Sequence, residues 1–101
     1  MLTHEMSRGT LTIRLKGDLD HHSAGELREE MDRLLSDPAV RRVVLDMSAL
    51  GFMDSSGIGL ILGRYKLLRR RGGQLLIRSG NRRVDRILQL SGLYEIIERL
   101  A

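Results

Sequence analysis

The run Val43-Val44-Leu45-Asp46-Met47, with Val40 just ahead of it, sets the tightest limit on what this chain can fold into. It is rich in β-branched residues and does not alternate between apolar and polar. A strand with one wet face alternates with a period of two, so this run implies a central strand covered on both faces. Parallel strands of that kind need long crossover connections, usually helices. The flanking sequence supplies them. Residues 2–7 form a weakly marked strand, Arg8-Gly9 a hairpin turn, and residues 10–16 a second strand with Leu11, Ile13 and Leu15 on one face. Gly17-Asp18-Leu19-Asp20 ends that strand. Ser23 followed by Glu26 reads as a capping box for a first helix, whose inner stripe is Leu27, Met31, Leu34 and Leu35 and which stops at Pro38.

After the central strand, residues 40–47, comes the turn Gly51-Phe52-Met53-Asp54-Ser55-Ser56-Gly57 and then a helical stripe of Ile58, Ile61, Leu62, Tyr65 and Leu68. That second helix ends at Arg69-Arg70-Arg71 and Gly72-Gly73, with cations at the last turn and glycine beyond it. Residues 74–78 form another strand. Asn81 caps a third helix with Val84, Ile87, Leu88 and Ser91 inward, Gly92 ends it, and residues 94–98 make a last short strand. The alternation implies an α/β fold, one domain over residues 1–101, with a largely parallel or mixed sheet and right-handed crossovers. Loops at the carboxyl ends of the strands carry the sites in such folds, which puts Asp20 and Asp54-Ser55-Ser56 on one rim.

Composition removes several function classes. The chain has no cysteine, so disulfides, thiol catalysis and zinc-thiolate sites are excluded, in keeping with a reducing, cytoplasmic setting. The first residues lack the basic and apolar segments of a signal peptide, and no apolar run has the length of a membrane span. Net charge is +4, but residues 1–63 hold seven Lys/Arg against ten Asp/Glu, and residues 64–86 hold nine Lys/Arg and only Asp85. With Phe52, Tyr65 and Tyr94 as the only aromatics there is no stacking platform, so the basic stretch reads as solvated surface rather than a nucleic-acid site.

The motifs for catalysis are weak. Gly57-Ile58-Gly59-Leu60-Ile61-Leu62-Gly63 is one residue too long for a dinucleotide fingerprint, and its glycines lie within the helix pattern. There is no phosphate-binding loop and no nucleophile elbow. His4, His21 and His22 lack zinc-site spacing, and Asp18 with Asp20 is ordinary for a loop, so neither a metal nor a cofactor is expected. What remains is a helix start bearing a carboxylate and two hydroxyls. A helix start favours an anion, and a phosphate added there brings roughly −1.5 to −2 charges. The glycines of the second helix are costly, at about 1 kcal/mol each relative to alanine in a helix interior. Their presence implies a close backbone neighbour, either a strand of the same domain or a partner.

Those residues resemble a known family. Gly17-Asp18-Leu19-Asp20-His21-His22, Phe52-Met53-Asp54-Ser55-Ser56-Gly57, the stretch from Gly59 through Leu62-Gly63-Arg64-Tyr65-Lys66, and Ser91-Gly92-Leu93 together are similar to the STAS domains of anti-sigma factor antagonists. The His-His pair and Leu-Gly-Arg-Tyr-Lys are similar to the sporulation, sigma-F, branch. The resemblance covers nearly the whole chain. It implies a STAS-type mixed sheet of four to five strands with helices mainly on one face. It implies a regulatory protein without catalysis of its own, which binds an anti-sigma factor and frees the sigma factor. That anti-sigma factor is a serine kinase of the histidine-kinase-like ATPase fold. It further implies phosphorylation at Ser55, reversal by a metal-dependent serine phosphatase, and partner contacts at Asp20, Asp54, Ser55, Ser56 and Gly57, with Ser56 capping the helix. Relatives run on into a further helix, so here that helix is expected to be short or absent, leaving Ile96, Ile97 and Leu100 less covered. The rival readings are a STAS antagonist of a general-stress pathway, a nucleotide-binding phosphotransfer domain, and a nucleic-acid binder using residues 64–86.

Overall fold

The structure, a computed structural model, describes residues 1–100. The elements run β1 (Leu2–Ser7), β2 (Thr10–Leu19), α1 (Ala24–Leu35), β3 (Arg42–Met53), α2 (Ser55–Arg70), β4 (Gln74–Arg78), α3 (Arg82–Leu90), a short 3₁₀ turn (Leu93–Glu95) and β5 (Glu98–Leu100). They form one five-stranded sheet whose spatial order is the chain order, β1-β2-β3-β4-β5. The first pair is antiparallel, joined by the tight Arg8-Gly9 turn with both residues at positive φ, 49° and 80°. This is the backbone a two-residue hairpin needs, and Gly9 adopts it freely. The remaining pairs are parallel.

Each crossover moves one strand further in the same direction. Right-handed connections of that kind leave all the helices on one face, and the core agrees. Leu11, Ile13, Val43, Leu45, Leu75 and Ile77 from the strands form one cluster with Leu27 and Met31 of α1, Ile61 and Leu68 of α2, and Val84 and Leu88 of α3. Val44 and Leu76, neighbours across β3 and β4, are buried but stand outside that cluster, as alternation requires for the opposite face.

The central strand therefore departs from expectation. It lacks alternation, but helices cover only one of its faces. On the other face Val44 and Asp46 are buried with no helix over them. There Asp46, 4% exposed, takes the Arg14 guanidinium at 3.2 Å and the Ser48 hydroxyl and amide at 2.7 and 3.0 Å. Burial alone would raise this carboxyl; the Ser48 and Arg14 hydrogen bonds outweigh it and hold it below the usual value.

Other boundaries also moved. Strand β2 continues through Gly17-Asp18 to Leu19, and β3 runs to Met53, because the two stay paired across register shifts between Arg14 and Lys16 and between Gly17 and Asp18. The capping box at Ser23 does not form. Asp20 accepts the amides of His22 and Ser23, while the Ser23 hydroxyl turns back to the Asp18 carbonyl. The aspartate reaches these amides first, so Glu26 is left exposed. Residues 94–98 are not a strand. Gly92, at φ 82°, ends α3, a 3₁₀ turn follows, and pairing resumes only at Glu98. Ile97 is buried, contrary to expectation, because it points into the core cluster; Ile96 is exposed. Ser91 is exposed rather than inward.

Candidate functional site

The rim at the carboxyl ends of β2 and β3 holds the residues singled out from sequence. Leu19 and Met53 are paired neighbours, and the amide of Asp54 donates to the Leu19 carbonyl at 3.2 Å. The chain thus enters α2 directly beside the loop from β2 to α1. Asp54 is the N-cap, in extended conformation, and its Oδ1 accepts the Ser56 amide at 2.8 Å. Its Oδ2 accepts the His21 amide at 3.3 Å, which ties the two loops together. One carboxylate satisfies a helix end and a neighbouring loop at once.

Ser56 is not the cap. It lies two residues inside the helix, half-buried, and donates its amide to Asp54. An aspartate side chain immediately before the helix reaches that amide, which leaves no capping task for the serine hydroxyls. Ser55, the first residue of α2, is exposed. Its position puts its hydroxyl at the positive end of the helix, open to an incoming macromolecule. Asp20 is half-buried beside Ser23. The Ser23 amide, followed by the His22 amide and the Ser23 hydroxyl, depresses its pKa against a smaller opposing effect of desolvation. Asp20 is thus a formed turn and a negative charge on the rim. His21 and His22 are exposed, their rings edge to face at 5.3 Å.

The three helix glycines prove different from one another. A Cβ on Gly57 would lie 2.4 Å from Met53 Cγ and 3.1 Å from Leu19 Cδ2, so this glycine lets α2 sit down on the strand ends. Gly59 and Gly63 have nothing within 4 Å of that position. With Gly25 of α1 they line an open groove of about 400 Å³ that also includes Ser56 and Arg64. The expectation of a close backbone neighbour is not met within the domain: Gly57 is crowded, but by the Met53 and Leu19 side chains, and Gly59 and Gly63 have no such neighbour. Sequence reading missed Phe52, the residue before the last in β3, which is 48% exposed. Its signal was its place in the strand period, opposite the buried Met53.

Comparison with known proteins agrees with this geometry. The STAS domain profile matches residues 2–101. The anti-sigma F factor antagonist of Paenibacillus polymyxa is 44% identical over 93 residues, covering 92% of this chain and 80% of that protein. The anti-sigma-B factor antagonist of Bacillus subtilis is 29% identical over 94 residues, covering 93% and 84%. Among solved structures, the anti-sigma factor antagonist SpoIIAA superposes in its unphosphorylated form with a TM-score of 0.78 at 29% identity, covering 100% of this chain and 88% of that one. The Bacillus SpoIIAA in its phosphorylated form gives 0.77 at 32%, covering 100% and 92%. The observed sheet and one-sided helix layer match the architecture expected from the resemblance. The chain belongs to the STAS family, among its anti-sigma factor antagonists.

Proposed function

We propose that this domain is a phosphorylation-switched antagonist of the sporulation, sigma-F, type. Unphosphorylated, it binds a nucleotide-loaded anti-sigma factor and so releases the sigma factor. The anti-sigma factor is itself the serine kinase, of the histidine-kinase-like ATPase fold. It transfers phosphate to Ser55, and a metal-dependent serine phosphatase removes it. This protein is the substrate in both reactions and works in the cytoplasm. The observation that carries the reading is the division of labour at the helix start. Asp54 does the capping, and Ser55 stands exposed beside it with no part in the cap. The higher identity to a sigma-F antagonist than to a sigma-B antagonist favours the sporulation branch over the general-stress one.

The switch follows from charge. Converting a contact from nearly all bound to nearly all free takes about 5.5 kcal/mol. A phosphate on Ser55 places a near-dianion beside the Asp54 carboxylate, on a rim that also carries Asp20. Closing a partner over that cluster means desolvating it and bearing like-charge repulsion. The fold itself does not need to rearrange.

The test uses the purified chain, the anti-sigma factor of the same organism, and ATP, with the phosphate mapped by mass spectrometry. Phosphate on Ser55 is the expected result; phosphate on Ser56, or none, overturns the assignment. Ser55→Ala is expected to bind like the unmodified protein, and Ser55→Asp to lose at least about tenfold in affinity, the equivalent of 1.4 kcal/mol.

A further inference from the structure

We infer that Phe52 is the aromatic anchor by which the kinase partner grips this domain, seated in an apolar recess of the partner three residues before the phosphate acceptor. The inference rests on the function proposed above and adds a residue to it.

Phe52 is the chain's one phenylalanine and is 48% exposed. Its neighbours explain why it stands clear. Met53 turns into the core, 1% exposed, so strand alternation sends Phe52 outward. Gly51 precedes it and carries no side chain that could shelter the ring. Its paired residue is Asp18, itself exposed. About half of the ring is left in water, and water around an aromatic surface is unfavourable.

Geometry puts the ring under any partner that reaches Ser55. Three peptide steps of 3.80 Å separate the two Cα atoms by at most about 11 Å. A standard interface covers about 800 Å² per partner, a disc about 16 Å in radius. A kinase contact centred on Ser55 therefore spans Phe52 as well. Of the other exposed apolar side chains, Met6 pairs with Leu11 near the start of β2 and Ile96 shares a pocket with Gly73 and Gln74 at the start of β4, both at the opposite end of the strands. Leu90 is the last residue of α3; Met1, with its thioether beside Gly17, lies at the same end as Phe52 but lacks a ring. Aromatic residues in desolvated pockets carry a large share of binding energy, whereas flanking charges contribute little.

The test compares the full chain with Phe52→Ala and Phe52→Leu against the purified anti-sigma factor of the same organism loaded with ADP. Binding is measured by calorimetry, and Ser55 phosphorylation is followed with ATP. Phe52→Ala is expected to lose about 30-fold in affinity and to raise KM for phosphorylation with kcat unchanged, since it removes binding common to ground and transition states. Phe52→Leu, which keeps apolar bulk, is expected to recover most of the loss. Phe52→Leu is expected to melt close to the unsubstituted chain and Phe52→Ala somewhat lower, because about half of the ring is covered, so binding is compared at a temperature at which all forms are folded. Binding of Phe52→Ala within twofold of the unsubstituted chain overturns the anchor and leaves the proposed function standing. An unsubstituted chain that neither binds nor accepts phosphate overturns the proposed function itself.

Discussion

At Gly57 a single added methyl would meet Met53 and Leu19 in a closed space, whereas at Gly59 and Gly63 it would meet nothing. The same substitution therefore has opposite signs along one helix. Gly57→Ala is expected to destabilise by about 1–3 kcal/mol, the range for overpacking a well-filled core. Gly59→Ala and Gly63→Ala are each expected to stabilise by about 0.5–1 kcal/mol, through helix propensity and a less flexible unfolded chain. Urea titration of the three variants separates the cases; a Gly57→Ala protein as stable as its parent would show that α2 can lift off the strand ends at no cost. In sequence these glycines are indistinguishable. Each sits in a helical pattern, and only tertiary packing decides which one has a neighbour. The same limit applies to the hydroxyls. Composition marked the turn as a cap bearing serines. Which oxygen does the capping depended on backbone conformation at Asp54, extended at φ −114°, which the letters do not carry.

The elements were more legible than their ends. Asn81 is the cap that its place before the helical stripe implies: its Oδ1 takes the amides of Arg83 and Val84, and its Nδ2 donates to the Leu50 carbonyl. Ser23 carried an equally good signature and failed, because Asp20 three residues earlier could make a tighter turn. Asp20 takes the Ser23 amide that Glu26 would have taken in a capping box, and the Ser23 hydroxyl turns to the Asp18 carbonyl, an outcome that spacing alone does not name. Arg71 is a long-range device that no local pattern announces. From just beyond α2 its guanidinium donates to the carbonyls of Leu35 and Val40, closing the end of α1 and the entry to β3. Arg71→Ala is expected to cost about 1–2 kcal/mol by thermal denaturation, the value of charge-assisted hydrogen bonds discounted for partial exposure. Lysine there should recover little, since it lacks the fork.

Across the whole molecule the sheet's two faces obey different chemistry. One is sealed by helices; the other carries an ion pair and hydrogen bonds that satisfy the buried Asp46. The lowered pKa of Asp46 fixes the sign of its pH dependence. A carboxyl depressed in the folded state stabilises the protein fully above its unfolded value, about 3.9, and the stabilisation is lost as pH falls through the folded value. Asp46→Asn is therefore expected to be less stable than the parent at neutral pH, and the gap is expected to close in acid below about pH 4. A gap independent of pH, in parallel denaturant titrations, would assign the loss to packing. The α/β class and the crossovers were legible because they depend on periodicity summed over many residues. The one-sided cover was not legible from β3 alone: Val44 breaks the alternation although it lies on the face away from the helices, and Arg14, the partner that accompanies the burial of Asp46, lies 32 residues away in sequence.

The position of the site has a practical use. The turn bearing Ser55 lies at the carboxyl ends of the strands, while the exposed polar positions Arg42 and Gln74 stand at the amino ends of β3 and β4, the far end of the sheet. A cysteine introduced at either would be the chain's sole thiol. It would allow the domain to be tethered to a sensor surface in one orientation, with its docking side held outward.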